Sequence, residues 1–387
     1  MPPTTRLACA LALTVCTGTA AAADWENWPT KYKFSDGTEV AASLNYAYDL
    51  NDFSGDDGYG TAATELEDAH TNRRKELGFS IKKKGVYDFT AVRDFQSDLW
   101  LDVALRVETK ALFDHDYGKL RFGYIKTPVG FEGLTASRAL SMLELSAATQ
   151  AVFEGRRTGL EWSLDRDHYY LTAAYFFAND LEGNDQGTTI GARAVWTPVK
   201  GKDHVLHLGV SGSIENPHAS FARFRARPLA GLTDVRLVDS GKLRDVDDIV
   251  RNGAELYWQD GPWSLQAEYL RTHAQRADGL PDYSASGYYA LGSWVVTGES
   301  RVYAAGNVGN VKPAHRFGAV ELLARYGELD LNDAGVAGGR QRDLTFGANW
   351  YLTSHFKFQA NYVRVFADKG LQSADANVME LRAQVNF

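Results

Sequence analysis

The sequence predicts an all-β fold, a transmembrane antiparallel β-barrel of about 16 strands with inward-folded loops. Three observations predict it. Apolar residues recur at every second position in segment after segment, charged and amide residues fill the positions between them, and the final segment alternates in the same way and stops on Phe387. Clear alternations are Val40, Ala42, Leu44, Tyr46 and Tyr48; Leu101, Val103, Leu105 and Val107; Leu160, Trp162 and Leu164; Leu344, Phe346, Ala348 and Trp350; and Phe356, Phe358, Ala360 and Tyr362. Between them stand Asp102, Arg106 and Glu108, then Arg157 and Glu161, then Lys357, Gln359 and Asn361. A sandwich core does not accommodate such residues unpaired, whereas a wet lumen does. The sheet therefore reads as inverted, apolar toward lipid and polar toward the inside.

Residues 1–23 read as a cleavable signal peptide. Arg6 supplies the positive n-region, Leu7 to Val15 the apolar h-region, and Ala20 to Ala23 the small-residue cleavage site, so the barrel is expected over 24–387, starting at Asp24. Cys9 and Cys16 both fall inside this leader, and Val15 stands where a lipidation signal would have a small residue. The exported chain thus carries no disulfide and no thiol chemistry.

Strands are expected over 40–49, 73–82, 86–94, 99–110, 118–125, 157–165, 168–178, 187–197, 203–213, 250–259, 262–272, 285–297, 316–329, 342–351, 355–366 and 378–387. The links are an independent check, because an outer-membrane barrel alternates long external loops with short periplasmic turns. Long links run 50–72, 126–156, 179–186, 214–249, 273–284, 330–341 and 367–377; tight ones include Lys83 to Gly85, Asp165 to Asp167, Asp260-Gly261 and Thr353-Ser354. Two break the rule, a short external link at 95–98 and a long periplasmic one at 298–315. In the last strand Met379, Leu381, Ala383, Val385 and Phe387 alternate with Glu380, Arg382, Gln384 and Asn386, the pattern of a tail read by the barrel-assembly machinery.

Composition agrees with this class: 36 Gly, 19 Tyr, 19 Phe and 9 Trp accompany only 10 Pro, as strands with aromatic girdles require. The formal net charge of −8 excludes a polybasic nucleic-acid binder. After residue 23 no apolar run is long enough for a transmembrane helix, and a mean hydropathy of −0.32 fits a barrel in which every second residue meets lipid. Catalytic patterns do not read out: no Walker motif, G-x-G-x-x-G or G-x-S-x-G occurs, and His204 and His207, three apart in a strand, face opposite sides and cannot share a metal. No enzyme activity, cofactor or metal is therefore expected.

Several segments resemble the phosphate-selective porin O and P family: Arg73-Arg74-Lys75-Glu76-Leu77, Leu120-Arg121-Phe122-Gly123, Val129-Gly130-Phe131-Glu132, and Gly209-Val210-Ser211 after Val205 to Leu208. Further matches are Gln266 to Leu270, Gly287-Tyr288-Tyr289-Ala290, Leu291 to Val296 leading into Thr297 to Arg301, and Asn349-Trp350-Tyr351, so the resemblance spans nearly all of the chain after the leader. It implies a 16-stranded, usually trimeric barrel in the bacterial outer membrane that passes phosphate, polyphosphate or other small anions through an arginine-lined pore. The family's constriction pair at the start of the second strand matches Arg73 and Arg74, and its Ser and Lys in the inward-folded loop match Ser137 and Arg138. A later family arginine falls on Leu145, and the lysine beside the Glu132 match is Gly133. The rival within transport is a general or sugar-type diffusion porin; a non-transport barrel acting as an adhesin would call for a plug domain, which does not read out after residue 23.

The residues themselves place these groups. Leu77, Phe79 and Ile81 share odd parity toward lipid, so Arg74 should face the lumen, as an anion contact or paired to Glu76, and Arg73 should snorkel at the rim. Link 126–156 is long enough to enter the barrel, and Leu140, Leu143 and Ala147 predict a short helix within 137–148, with Arg138 near the constriction beside Lys126, or else turned to solvent. Phe221 to Arg227 puts Arg223, Arg225 and Arg227 on one side at ~7 Å spacing, resembling the family's arginine ladder; the alternative is pairing with Asp234, Asp239 or Asp245. Link 50–72 holds Asp52, Asp56, Asp57, Glu65, Glu67 and Asp68 and no Lys or Arg, which locates much of the negative charge outside, in a solvated loop; the alternative is a site for divalent cations that bridge lipopolysaccharide. Lys31, Lys33, Lys82, Lys83 and Lys84 cluster at the periplasmic end, drawing anions inward or simply solvated in turns.

Overall fold

The computed structural model describes residues 30–387 apart from 57, 63, 278 and 334; the expected leader at 1–23 with Arg6, Cys9 and Cys16, the Asp24 start, and Asp57 lie outside the described residues. Sixteen long strands follow one another in sequence: β1 (Thr38–Gly55), β2 (Ala69–Lys83), β3 (Tyr87–Asp94), β4 (Leu99–Glu108), β5 (Lys119–Lys126), β6 (Arg156–Asp165), β7 (Tyr169–Phe176) and β8 (Thr188–Lys200). The second half is β9 (His204–Asn216), β10 (Val246–Asp260), β11 (Trp263–Arg276), β12 (Tyr283–Val295), β13 (Ala319–Asp333), β14 (Val336–Tyr351), β15 (Phe356–Lys369) and β16 (Gln372–Asn386). Every expected strand is present in the expected order. Each pairs antiparallel with its neighbours, and β16 pairs back onto β1 from Asn45↔Asn386 to Gly55↔Ala376. Closure leaves no open edge, the condition for a sheet to stand in hydrocarbon.

The first and last described strand segments share the closing seam. Phe387 donates its N–H to the Leu44 carbonyl (2.9 Å) and accepts from the Leu44 N–H (3.2 Å). Just below, where β16 has run out, Lys31–Lys33 takes its place beside β1 with Lys31↔Ala41 and Lys33↔Glu39.

The outward rows are those of the alternation. On β11, Trp263, Leu265 and Tyr269 are exposed while Gln266, Glu268 and Leu270 are buried. Trp258, Trp263 and Trp294, on three neighbouring strands, lie outward near the end that carries the tight turns, with Trp263 stacked on Trp294 at 4.9 Å, and Tyr269, Tyr288, Tyr326 and Tyr362 form a second outward row higher up. The six steps from Trp263 to Tyr269 make ~20 Å of strand between the two rows. Above the tyrosines the outward positions turn ionic: Arg340 meets Glu328 (2.6 Å), Arg342 meets Asp368 (3.2 Å) and Arg364 meets Asp375 (2.7 Å).

The strands stand taller than the sequence reading had them. Expected links 330–341 and 367–377 shrink to 334–335 and 370–371, and 273–284 shrinks to 277–282. The period of two persists there while the apolar face changes sides. Val363, Val365, Ala367, Ala374, Ala376 and Val378 point inward, into an apolar core shared with Phe224, Leu229, Leu237 and Val238 of the link after β9. A reading that follows lipid-facing apolar residues ends each strand where that switch occurs.

Two short helices break the all-β pattern. α1 (Thr109–Phe113) turns the chain between β4 and β5, and α2 (Ala147–Val152) lies in the link after β5, capped by the Ser146 side chain on the Thr149 N–H. The helix expected within 137–148 is instead one 3-10 turn at Ser137–Ala139, an irregular stretch, and then α2. The physical reason is competition for carbonyls. Those of Arg138, Leu140, Ser141 and Leu143 accept hydrogen bonds from wall side chains, Lys357 (3.2 and 3.0 Å), Gln359 (3.0 Å) and Arg382 (3.1 Å), so the loop's polar backbone is satisfied by the barrel and not by its own turn.

Candidate pore constriction

Link 127–155 enters the barrel and is fastened to one side of it. The carboxylate of Glu268 on β11 accepts the Phe131 and Glu132 N–H groups (2.6 and 2.8 Å), and Arg325 on β13 pairs with Glu132 (3.2 Å). Arg382 on β16 clamps Asp49 on β1 through two bonds of 2.7 and 2.6 Å and also donates to the Leu143 carbonyl and to Glu144 (3.4 Å). All these wall residues are buried. Removing one partner of such a cluster leaves the others charged and dry, at ~3 to 5 kcal/mol. Arg382→Ala is accordingly expected to free the loop, giving larger and noisier single-channel conductance; steps identical to the parent's would show that the loop is held without it.

From below, the long link after β12 rises into the lumen as a hairpin, Arg301–Ala304 paired with Asn307–Val311. Arg301 donates to the Ala139 carbonyl (2.7 Å) and to Ser141, Thr135 donates to Asn307 (2.8 Å), and the Tyr303 hydroxyl bonds His207 (2.9 Å). The sequence reading marked this link as too long for a periplasmic turn and missed that it folds inward. Its inward course shows only in partners at distant positions.

Two cavities lie between the loop and the wall of β2 to β8. The narrow one, of about 150 Å³, is lined by Arg73, Arg74, Glu76, Lys126, Ser137 and Leu145, with Phe153, Glu144, Arg156 and Arg382 among the rest. A wider chamber of about 330 Å³ shares Glu76, Lys126, Ser137 and Arg156 and adds Arg121 and Arg138. The Lys126 ammonium donates to the Gly133 and Thr135 carbonyls (2.7 and 2.8 Å), so a wall cation spans to the loop across the gap. Ser137 reaches Glu76 at 3.5 Å. Arg74 stands 3.7 Å from Glu76 and 3.8 Å from Asp94, facing the lumen as its parity predicts. Arg138 is exposed and carries no ion pair among the described residues.

Arg73 departs from expectation. It does not snorkel at the rim but points inward to Glu144 (3.3 Å) and Asp49 (3.9 Å). A β-bulge is the reason: Ala47 pairs with Arg74 and the next residue, Tyr48, with Asn72, so Arg73 is the extra residue and two consecutive arginines enter the lumen. Arg156, paired to Asp102 at 3.2 Å, and Arg382 were not singled out from sequence as pore residues. For Arg382 the inward parity was legible, but its partner Asp49 is 333 positions away.

Above the constriction, link 217–245 folds down over α2 in two short pairings, Phe221–Ala222 with Leu243–Arg244 and Arg225–Ala226 with Val238–Asp239. Ala222, Phe224 and Ala226 are buried, Phe224 stacking on Tyr283 at 5.8 Å, which leaves the three arginines together on the opposite side. Arg223 and Arg225 line a recess of about 290 Å³ with Gln150 and Arg251, and Phe153 borders both this recess and the constriction. Part of the row is neutralised, as the alternative reading had it. Arg223 grips Asp239 (2.9 and 3.1 Å), which holds its guanidinium above the ordinary range, and Arg227 meets Asp234 at 3.4 Å; Arg225 carries no ion pair among the described residues.

His204 bonds Asp260 at the exposed end of β9 (2.6 Å) while His207 is buried against Glu255 (3.2 Å), so the two imidazoles lie on opposite faces. At the end expected to face the periplasm, Lys31 pairs with Glu39 (3.7 Å) and Lys83 with Asp36 (3.4 Å).

Residues 40–387 match the family model described as phosphate-selective porin O and P. The chain is 30% identical over 249 residues to an uncharacterised protein of Caulobacter vibrioides, covering 59% of this chain and 50% of that one. It is 27% identical over 287 residues to Porin O of Pseudomonas aeruginosa, covering 65% of each. The alignments thus span between half and two thirds of these relatives. Among solved structures it resembles an anion-selective porin from Comamonas acidovorans, with a TM-score of 0.57 at 12% identity over 90% of this chain and 100% of that one. The outer membrane protein OmpT of Vibrio cholerae gives a TM-score of 0.57 at 11% identity over 92% of this chain and 99% of that one.

Proposed function

The chain belongs to the phosphate-selective porin O and P family, a family of outer-membrane channel barrels, and from that premise we propose that it forms a water-filled, anion-preferring pore for passive uptake, with phosphate or polyphosphate as the solutes the family points to. The observation that carries the reading is the charge on the narrow cavity. Its lining presents five cationic side chains, Arg73, Arg74, Lys126, Arg156 and Arg382, and two carboxylates, Glu76 and Glu144, with Asp49, Asp94 and Asp102 paired to the arginines from outside that lining, although the whole chain has a net charge of −8. Permeation senses charge within about a Debye length, ~8 to 10 Å, so acidic external loops weigh little beside the constriction. An anion ~5 Å from one such cation gains ~1 to 3 kcal/mol at a dielectric between wet protein and water, enough to enrich it without trapping it.

In this reading the chain is exported through the periplasm behind its leader, inserted by the barrel-assembly machinery, and surrounded by lipopolysaccharide at its outward ionic rows, as a homotrimer. A salt-gradient reversal potential across a planar bilayer tests the central claim. The expected sign is that of anion preference. Cation preference would refute the arginine-based reading and leave a general diffusion porin.

A further inference from the structure

The narrow cavity has an apolar patch opposite its wall cations. Arg74, Lys126 and Arg156 come from the wall, whereas the loop presents Leu140, Leu145 and Phe153 to the same space, each partly exposed, beside Ser137 and a Glu144 whose charge is taken by Arg73 and Arg382. The aromatic ring is held there by Gly133. A Cβ at that position would sit 2.7 Å from two Phe153 ring carbons, so the space a side chain would take is filled by the ring. Leu145 adds a second apolar surface beside it.

We propose that this constriction is a subsite for small aromatic carboxylates, of which benzoate is the simplest. The inference rests on the anion-pore reading and names the solute that fits the same site. A carboxylate docks on an arginine fork through two parallel hydrogen bonds, and its ring is left facing away from the charge. Here that face meets Phe153 and Leu145. An apolar cavity of about 150 Å³ is known to hold a benzene ring, and the narrow cavity has a volume of about 150 Å³. Inorganic phosphate has no apolar face. Against Phe153 and Leu145 it loses water without gaining a donor, and so leaves that part of the lining unused.

The test is inhibition of chloride current through the full-length protein in a planar bilayer at neutral pH by benzoate, acetate and inorganic phosphate. Benzoate is expected to halve the current at roughly a fifth to a tenth of the acetate concentration, the gain of one ring on aromatic and apolar side chains. Leu145→Asn should bring the benzoate-to-acetate ratio toward one, and Leu145→Met should keep it. Equal inhibition by benzoate and acetate in an anion-preferring pore overturns this inference alone, while cation preference overturns the reading beneath it. If Leu145→Asn does not assemble, the three anions compared on the unaltered protein still decide.

Discussion

Deletion of Phe387, or its replacement by Asp, is expected to abolish the outer-membrane barrel and leave unfolded chain in the periplasm. The terminal residue occupies the seam where sixteen strands close. Its backbone makes both hydrogen bonds to Leu44, and its ring stacks on His355 at 4.7 Å between centroids. Every other strand pairs with its sequence neighbours on both sides, through a turn or a longer link; β16 and β1 must find each other from opposite ends of the barrel sequence. An unclosed seam exposes two rows of unpaired backbone groups to hydrocarbon, several kcal/mol for each group, so partial insertion is not a stable compromise. An acidic side chain near the membrane boundary adds its own transfer cost. Phe387→Tyr keeps the aromatic and should assemble. The readout is heat-modifiable mobility of outer-membrane fractions. Normal folded barrel after deletion of Phe387 would show that closure from Asn45↔Asn386 upward, with Lys31–Lys33 beside β1, suffices without the terminal aromatic.

What was legible in the sequence was everything set by parity against lipid. Leu44, Tyr46 and Tyr48 outward, with Asn45 and Asp49 inward, follow from a period of two and a single lipid-facing side. The same logic failed in two identifiable places. At Arg73 a bulge inserts one residue, and every parity argument upstream of it in β2 is inverted; no composition signal marks a bulge built from Asn72, Arg73 and Arg74. Above the tyrosine row the outside is water and the inside is the packed link 217–245, so Val363 and Val365 point inward and Arg364 outward, the reverse of the membrane zone. The constriction was legible as a set of residue types and not as a geometry. Lys126, Ser137 and Arg138 do converge, but what orders them is a group of wall residues, Glu268, Arg325, Lys357 and Arg382, whose partners lie 137 to 239 positions away. The extended row of Arg223, Arg225 and Arg227 was readable because its spacing is local; its neutralisation by Asp239 and Asp234 was readable only as one possibility among several acids.

That partial neutralisation decides which arginines should matter most. At the narrow cavity Arg73 is held by Glu144, Arg382 by Asp49 and Arg156 by Asp102, each an ion pair whose field is largely cancelled a few ångströms away. The cations left without a close ion pair are Lys126, which donates to two carbonyls, Arg74, whose carboxylates stand off at 3.7 and 3.8 Å, and, in the wider chamber, the exposed Arg138. Replacing these three together by Gln keeps a donor at each position, so the Gly133 and Thr135 carbonyls retain a hydrogen-bonding partner and the loop stays in place. Each removed charge withdraws ~1 to 3 kcal/mol from an anion ~5 Å away, and three together should lower the anion-to-cation permeability ratio at least tenfold, the equivalent of ~1.4 kcal/mol. Replacing Arg223, Arg225 and Arg227 together by Ala should do less. Two of those charges are already paired, and their loss also strips Asp239 and Asp234 of partners in a link outside the barrel wall, so anion preference should fall several-fold, with phosphate inhibiting chloride current more weakly, while the barrel stays folded. Reversal potentials measured on the two triple variants side by side make the comparison. A constriction variant that selects like the parent, beside a link variant that does not, would move the selectivity filter up to the arginine row.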